Sequence, residues 1–541
     1  MKILLSKKIK SIPRHFWILL AIILLGIFLR TYHFSDWLIF NSDQARDASV
    51  VRNMLEKGDM PLLGPVAGGT FFQLGSAFYY FQYAGAKIFG NTPDKMAYAD
   101  LLFGILAIPL LYLLARQYFK RNVSLMLMAL YATAFFTVQY SRFAWNPNSA
   151  QFFSMLFLYA ILRLWDSDSN KQLGWVILAG VALGISVQLH TLLLFGLPVV
   201  FFILAIYLRD NKRLKPSNIV LIIFIALLLN ATQIKNEIQT RGGNYNQLLY
   251  ALLGKSDHQN PMWKNTVFVA TCQAQSSIKI LVPYANQEDC DFPLADKYFK
   301  RLSNRMDSSV DWLLYATKII VVLLFSGGSY WLFYRKIRKK GVEGREKFII
   351  LAIFSLVLLA IFVPFGAEIS LRYFILLVFM PFLLLGLMLE FFWEKYGPRG
   401  RFVASILICG IIGYNLFFCL LNFRAHANNV PGNMIDGTAT QAEKIMDYLI
   451  ERSAGAKKIQ IGGQKNNLGR FYNRISYFAE NKGVEIVSLD STAVVDPNLP
   501  TFYAISEMSG KCEIGAFYKY GYVEECGKMY DIALLKLDIR K

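Results

Sequence analysis

Long apolar runs separated by short polar segments dominate this chain of 541 residues. A run of about 20 apolar residues is long enough to cross the hydrocarbon core of a bilayer as a helix. The pattern predicts an α-helical polytopic membrane protein with about 11 transmembrane helices. The predicted spans lie near residues 16–29, 97–115, 123–140, 149–165, 173–189, 191–208, 217–234, 310–334, 347–363, 371–389 and 402–421.

Basic residues alternate between the two sides of this predicted topology. If the N-terminus is cytoplasmic, the six short cytoplasmic pieces contain 24 Lys and Arg residues. The external turns 141–148 and 364–370 contain one basic residue between them, Arg142. This asymmetry follows the positive-inside rule for short loops. We therefore predict a multi-pass protein of the plasma (inner) membrane, with a cytoplasmic N-terminus and an extracytoplasmic or periplasmic C-terminus.

The apolar run 71–90 is long enough to span, but a span there would move every later loop to the other side. The basic segment Arg335–Lys340 would then be external, against the charge rule. We predict an interfacial or re-entrant helix within the first external loop.

Three external segments are large enough to matter: 34–96, 235–309 and 422–541. In the last, helical periodicity at 440–453 and 468–481 alternates with strand-like runs near 458–461, 484–487, 502–505 and 530–535. The pattern predicts a small extracytoplasmic α/β domain at 422–541, following a membrane domain at 1–421.

Composition agrees with a membrane protein, since 55% of the residues are hydrophobic and only 17% are charged. The formal charge of +20 could suggest nucleic acid, but the basic residues lie in short loops between spans, so we predict no nucleic-acid partner. No Cys or His stands at zinc spacing. Four cysteines fall on the external, oxidising side in two local pairs, which predicts the disulfides Cys272–Cys290 and Cys512–Cys526.

Candidate chemistry begins just after the first span, where the pattern from Asp43 to Lys57 is helical. Ser42 is a plausible N-cap and Gly58 a plausible end. Asp43 and Asp47 are four residues apart and share a helix face, so one of their pKa values should rise and yield a general base near neutral pH. The alternative is that both acids only favour the helix N-terminus through its dipole.

Four motifs resemble a known superfamily, the GT-C membrane glycosyltransferases that use polyprenyl-phosphate sugars. The resemblance is to the branch of the dolichyl-phosphate-mannose-protein mannosyltransferases and the lipid A aminoarabinose transferases, and it covers roughly residues 15 to 420. The motifs are Asp43-Gln44-Ala45-Arg46-Asp47-Ala48 with Met54–Asp59, Phe72-Gln73-Leu74-Gly75 through Tyr79-Tyr80 to Gly90, Tyr140–Asn148, and Leu371-Arg372-Tyr373-Phe374 with Pro381.

The resemblance implies a GT-C fold and an essential Asp in the first external loop, which falls on Asp43. Gln44 stands where the family usually has Glu, so Asp47 could supply the second acid. The aminoarabinose branch has a Lys facing the donor phosphate where this chain has Gln73 or Leu74. The phosphate must then be met by other cations. The same branch has an Asp after span 3, where this chain has Asn146 and Asn148. Metal binding is therefore disfavoured: no cofactor is expected to be required, with a divalent metal left open.

Phosphate charge favours Arg, whose planar fork binds two oxygens. Arg372, with Tyr373, and Arg142 are predicted at headgroup depth as donor-phosphate residues, although either could instead snorkel to the interface. The predicted substrate-binding residues are Gln73, Tyr79, Tyr80, Trp145, Asn146 and Asn148. The aromatic residues among them could instead form an interfacial belt.

These features predict an inverting glycosyltransferase that moves a sugar from a polyprenyl-phosphate donor to an acceptor hydroxyl on the extracytoplasmic side. Its partners would be the donor lipid, an acceptor glycan, lipid or protein, and membrane lipids. A transporter or flippase is the main alternative, but such proteins bury ionisable residues in mid-membrane, and here only Lys318 clearly lies within a span. An O-antigen ligase or polymerase, which transfers a whole oligosaccharide, is the third alternative.

Overall fold

The computed structural model describes residues 13–168, 171–253, 261–283, 290, 309–339, 341, 344–428, 434, 436–463, 467–489, 495–506, 514–515 and 517–539. Helices dominate up to residue 427. The first of them are α1 (Arg14–Thr31), α2 (Ser42–Glu56), α3 (Ala77–Phe89), α4 (Pro93–Met96), α5 (Tyr98–Ala115), α6 (Arg121–Thr133), α7 (Phe135–Gln139), α8 (Asn146–Asp166), α9 (Leu173–Leu189) and α10 (Thr191–Asp210).

The second half of the helical region continues the same architecture. Its helices are α11 (Pro216–Leu229), α12 (Ala231–Thr240), α13 (Gly243–Leu253), α14 (Met262–Leu281), α15 (Ser309–Arg338), α16 (Arg345–Phe362), α17 (Phe379–Lys395) and α18 (Gly397–Ala427). Their buried apolar side chains form one continuous core, which also includes residues from the C-terminal helices described below.

Among the described residues, four helical segments are long and apolar enough to cross a membrane: Pro93–Ala115, Thr191–Asp210, Arg345–Phe365 and Gly397–Ala427. Two bent pairs would raise the number to six. The helices His15–Thr31 and Leu173–Leu189 are apolar but shorter. The helical membrane-protein architecture thus agrees with the sequence, while the number of 11 spans stays a prediction.

Two predicted spans are bent rather than continuous. The run 217–234 divides into α11 and α12, whose axes differ by 63°. The run 371–389 begins as a 3₁₀ helix, Leu371–Leu377, and turns by 70° into α17. The sequence predicted a span here but not its bend, because apolar composition does not distinguish a 3₁₀ segment from an α-helix. This bend places Arg372 on an irregular segment.

The first external loop is compact and mostly helical. After α2 come strands β1 (Leu63–Val66) and β2 (Gln73–Gly75), which pair antiparallel, and then α3. Helix α3 has 13 residues, which is about 20 Å at 1.5 Å per residue. A bilayer core is about 30 Å thick, so this helix is too short to cross it. The helix agrees with the prediction that 71–90 does not span.

The C-terminal part contains helices α19 (Ala439–Arg452) and α20 (Leu468–Asn481) and a six-stranded mixed sheet. Both helices fall where the sequence predicted them. The sheet order is β4-β3-β5-β8-β7-β6, in which β3 is parallel to β4 and β5 and the other pairs are antiparallel. Its strands are β3 (Lys458–Gly463), β4 (Glu485–Ser488), β5 (Thr501–Ser506), β6 (Phe517–Tyr518), β7 (Gly521–Met529) and β8 (Ile532–Asp538).

This α/β unit packs directly on the first external loop. Ile39 and Thr438 form an antiparallel β-bridge, and the backbone N–H of Phe40 donates to the carbonyl of Gly437 at 2.8 Å. Farther along α2, Arg52 is hydrogen-bonded to Asn481 and forms an ion pair with Glu480, both on α20. The segment that leads into α2 is therefore held by backbone pairing from the C-terminal unit.

The two predicted disulfides have different outcomes. Cys272 and Cys290 form the expected disulfide, with their Cα atoms 5.3 Å apart. The Cys512–Cys526 prediction involves a residue, Cys512, outside the described part of the chain. Arg30, near the end of α1, is fully buried and donates to the carbonyls of Gly26 and Ala132. Neighbouring helices therefore cover this end of α1.

Candidate active site

Helix α2 begins one residue earlier than the sequence suggested, since Asn41 and not Ser42 is the N-cap. Its backbone N–H donates to Gln44 Oε1 at 3.1 Å, while its side-chain Nδ2 donates to Asp436 Oδ1 at 3.1 Å. The predicted end was correct, because Gly58 follows the helix with a φ of +73°. The N-cap side chain thus links the start of α2 to the C-terminal unit.

Arg46 lies between the two carboxylates of α2. Its Nη1 is 3.0 Å from Asp43 Oδ1, and its Nη2 is 2.8 Å from Asp47 Oδ1. The Asp43 side chain is 60% exposed and that of Asp47 only 2% exposed. One turn of helix therefore separates an accessible carboxylate from an inaccessible one, and the arginine neutralises part of the charge of both.

The Asp47 carboxylate lies inside the first external loop. Burial raises its pKa to about 6, although Arg46 opposes the rise and Asp43 adds slightly to it. The hydroxyl of Tyr79 on α3 donates to Asp47 Oδ1 at 3.1 Å, and burial together with this carboxylate raises the pKa of Tyr79 well above its ordinary value. The spacing of the two acids predicted that one pKa would rise by mutual repulsion. The larger cause here is loss of water around Asp47.

A cavity of about 680 Å³ opens next to Asp43. We call it the central cavity and define it by Asp43, Trp145, Lys279, Arg372 and Asp436, all of which line it. Aromatic and aliphatic side chains make up much of the remaining wall: Phe135, Phe136, Tyr140, Phe143, Phe418 and Leu421. Acidic, basic and apolar groups therefore meet in one space, as a site for a charged amphipathic ligand requires.

Two cations face this cavity from different elements. Arg372 comes from the 3₁₀ segment before α17, and its guanidinium carbon lies 5.9 Å from the ring centre of Tyr373. Lys279 comes from the last turn of α14, two turns after the disulfide-bonded Cys272. Tyr373 itself packs edge-on against His190 at 5.8 Å. An anionic group in the cavity could thus contact a cation from each of two elements, the 3₁₀ segment before α17 and the end of α14.

Trp145, between α7 and α8, lines the central cavity. The neighbouring predicted site residues Arg142, Asn146 and Asn148 instead donate hydrogen bonds to backbone carbonyls. Arg142 donates to the backbone carbonyls of Leu29, Arg30 and Tyr32, at the end of α1, and its burial lowers its pKa to about 10. The side-chain amides donate to backbone carbonyls in the same way: Asn146 to Leu189 at 2.7 Å and Asn148 to Phe143 at 2.8 Å.

Three further predicted residues lie in the second half of the first loop, away from the cavity lining. The backbone of Gln73 exchanges two hydrogen bonds with the side chain of Asn244, at 2.8 and 2.9 Å. Tyr79 is committed to Asp47, and the hydroxyl of Tyr80 donates to the carbonyl of Pro61 at 3.0 Å. These contacts hold the loop together around α2.

Sequence reasoning missed two charged residues of the central cavity, Lys279 and Asp436. Lys279 follows a long polar stretch with no motif around it, so the sequence offered no signal for it. Asp436 lies in the C-terminal segment, which the family resemblance does not cover. Among the described residues, no three His, Cys, Asp or Glu side chains are grouped so that they could hold a metal ion.

Part of this chain matches the model of a known protein family. The family model described as dolichyl-phosphate-mannose-protein mannosyltransferase matches residues 76–234, from the start of α3 to α12. This match confirms the resemblance predicted from the sequence, and the matched family is one of glycosyltransferases. It leaves out Asp43, Lys279 and Arg372. No curated protein matches the chain significantly.

Solved structures that match this chain have low sequence identity to it. ArnT from Cupriavidus metallidurans in the apo state is 14% identical, with a TM-score of 0.47 over 96% of this chain and 97% of ArnT. ArnT bound to undecaprenyl phosphate gives 14% and 0.48 over 97% and 98%. The Archaeoglobus fulgidus oligosaccharyltransferase in the apo form gives 13% and 0.49 over 92% of this chain and 70% of the other.

Proposed function

We propose that the chain transfers a sugar from a polyprenyl-phosphate donor to an acceptor hydroxyl, with inversion, at the central cavity. The observation that carries this proposal is the presence of an accessible carboxylate, Asp43, and two cations, Lys279 and Arg372, in one cavity with aromatic walls. Such a set suits a reaction in which a proton is removed from one partner while negative charge develops on the other.

In this reaction the acceptor oxygen forms a bond to the anomeric carbon while the bond from that carbon to the phosphate oxygen breaks. The acceptor proton passes to the Asp43 carboxylate, and the electron pair of the broken bond stays on the lipid phosphate. Arg372 and Lys279 stabilise the phosphate as its charge grows. Attack on the face opposite the leaving group accounts for inversion.

The remaining carboxylate of α2 has a supporting part in this proposal. Asp47 fixes Arg46 by two contacts, and Arg46 in turn contacts Asp43. Arg142 belongs to the scaffold in the same scheme, because its guanidinium binds the backbone at the end of α1. The catalytic side is extracytoplasmic, by the distribution of basic residues along the chain.

Transfer can be tested with the purified full chain in liposomes that contain labelled polyprenyl-phosphate sugars and a mixture of membrane acceptors. We expect label on an acceptor, released polyprenyl phosphate, and loss of both in Asp43→Asn. Movement of intact donor across the bilayer without released polyprenyl phosphate would instead indicate a flippase, and transfer of an oligosaccharide would indicate a ligase or polymerase. Asp59→Asn is the matched control, because Asp59 is an exposed acid of the same loop outside the cavity.

A further inference from the structure

A second cavity, of about 670 Å³, lies where the ends of α1 and α18 meet helix α19 of the C-terminal unit. We call it the peripheral cavity and define it by Phe28, Trp37, Leu420, Arg424 and Lys444. It is separate from the proposed reaction site, although His426 and Thr438 line both cavities. Neither the sequence motifs nor the proposed transfer assigns it a ligand.

The sequence of helix α18 indicates at which level of a bilayer the peripheral cavity lies. The 22 residues from Phe402 to Phe423 contain no charged side chain, and Arg401 and Arg424 flank them. At 1.5 Å per residue this stretch is about 33 Å long, close to the roughly 30 Å thickness of a hydrocarbon core. Arg424 therefore lies at the level of the lipid headgroups when α18 spans the bilayer.

The part of the peripheral cavity nearer the middle of α1 and α18 is apolar and exposed. Phe28 on α1 is 53% exposed and Leu420 on α18 is 64% exposed. Both lie one turn before the residues that line the polar part of the cavity, Tyr32 and Arg424. When α1 and α18 span the bilayer, exposed side chains at this depth face lipid tails, and the cavity then opens to the hydrocarbon region.

The upper part of the cavity is cationic. Arg424 and Lys444 are exposed, and none of the salt bridges among the described residues involves either of them. The one acidic residue in the lining is Asp36, whose carboxylate is 2.7 Å from His33 Nδ1. No described residue thus neutralises the positive charge of Arg424 or Lys444 through a salt bridge, and an anion can bind both side chains.

We propose that the peripheral cavity binds an anionic membrane phospholipid. Arg424 and Lys444 bind the phosphate of the headgroup, and an acyl chain lies along Phe28 and Leu420. The lipid connects a spanning helix with α19, because one cation belongs to each. It would therefore hold the C-terminal unit against the membrane surface beside the central cavity. The inference does not depend on the proposed sugar transfer.

The test measures lipid binding by the full chain in neutral detergent, with fluorescent phosphatidylglycerol as probe and phosphatidylcholine for comparison. We expect tighter binding of phosphatidylglycerol. The double variant Arg424→Gln/Lys444→Gln should weaken that binding about 30-fold, since each basic residue near a membrane surface contributes about fivefold. Lys458→Gln/Arg470→Gln removes the same charge from exposed positions of the C-terminal unit outside the cavity and should leave the affinity unchanged.

Each other outcome would overturn the inference. Equal phosphatidylglycerol affinity in the cavity variant and the native chain would remove the two cations from the site. Equal losses in the cavity and control variants would show a nonspecific charge effect. If millimolar inorganic phosphate displaced the lipid, and the acyl chains contributed nothing to the affinity, the cavity would be a site for free phosphate. Thermal unfolding in phosphatidylcholine micelles should give the same Tm for both variants, because all four residues are exposed.

Discussion

The two carboxylates of α2 show how one helical turn can separate an exposed acid from a buried one. Asp43 is exposed to the central cavity, while Asp47 is enclosed by α3 and bound by Arg46 and Tyr79. A carboxylate must reach the acceptor hydroxyl within hydrogen-bond distance in order to act as its base. Access therefore favours Asp43 for that role.

Substitution of Asp43 tests this assignment directly. Asp43→Asn keeps the shape of the side chain but cannot take a proton, so we expect the transfer rate to fall at least about 10²-fold. Donor affinity should be retained, since the phosphate contacts come from elsewhere. Asp47→Asn should cost less. Native transfer by Asp43→Asn together with loss in Asp47→Asn would exchange the two roles.

Asp47 should also make stability depend on pH. Its pKa in the folded chain is about 6, above the ordinary 3.8, so the folded state holds the proton more tightly than the unfolded state. Stability therefore falls as pH rises from about 4 to about 6, by roughly 3 kcal/mol in total. Asp47→Asn has no charge to bury and avoids this loss.

We expect Asp47→Asn to unfold at a higher Tm than the native chain at pH 7.5, with the difference shrinking as the pH approaches 4. Thermal unfolding in detergent at several pH values measures it. Asp59→Asn, at an exposed position, should show no such trend. A difference between Asp47→Asn and the native chain that stays constant with pH would contradict the burial argument.

Arg372 is the third residue whose replacement is informative. Arg372→Lys keeps the charge and loses the planar fork, while Arg372→Ala loses both. Hydrogen bonds to charged groups contribute about 1.5–3 kcal/mol, so we expect donor affinity to fall roughly tenfold or more in Arg372→Ala and less in Arg372→Lys. Arg470→Ala, outside the cavity, serves as control. Unchanged donor binding in Arg372→Ala would remove it from the site.

At the scale of elements, the start of α2 depends on a segment about 400 residues away. The side chain of Asn41 donates to Asp436, its Oδ1 accepts from the N–H of Gly437, and Asn473 Nδ2 donates to Ser42 Oγ at 2.8 Å. A displacement of 1 Å at a catalytic group can cost about 10²-fold in rate. These contacts are therefore expected to set the position of Asp43.

Asp436→Ala should lower kcat roughly tenfold or more with little change in the KM for donor, because it releases Asn41 and leaves Arg372 and Lys279 in the chain. Asp436→Asn should restore much of the rate, since its amide oxygen can still accept from Asn41. Asp447→Ala, which breaks an exposed ion pair with Lys482 on the same unit, should leave kcat unchanged. Equal losses in Asp436→Asn and Asp436→Ala would point to the charge of Asp436 instead.

At the scale of the whole molecule, orientation in the membrane is the feature to test. The 24 basic residues of the short loops predict that the loop before α11 is cytoplasmic. A cysteine placed at Ser217 should therefore react with a membrane-impermeant reagent only after the membrane is permeabilised. A cysteine placed at Asp59 should react with the same reagent in intact cells. Labelling of the Ser217 site from outside intact cells would overturn the topology.

The sequence by itself determined the features that depend on local pattern. The two C-terminal helices and strands β3, β4, β5 and β8 followed from the periodicity of apolar residues, because a side chain's burial repeats with the geometry of its own element. Strands β6 and β7 were not predicted. The helix that carries Asp43 and Asp47, and its end at Gly58, followed from the same local rules. The Cys272–Cys290 pair followed from proximity on a side predicted to be oxidising.

Only the tertiary structure decided which of these residues meet. It placed Lys279 and Asp436 beside Asp43, committed Arg142, Asn146 and Asn148 to backbone carbonyls, and bent the segment that carries Arg372. Several of those outcomes depend on contacts between distant parts of the chain, since 113 positions separate Arg142 from Leu29 and 395 separate Asn41 from Asp436. Spacing along a chain describes one element at a time, whereas the surroundings of a side chain are set by the elements that pack against it.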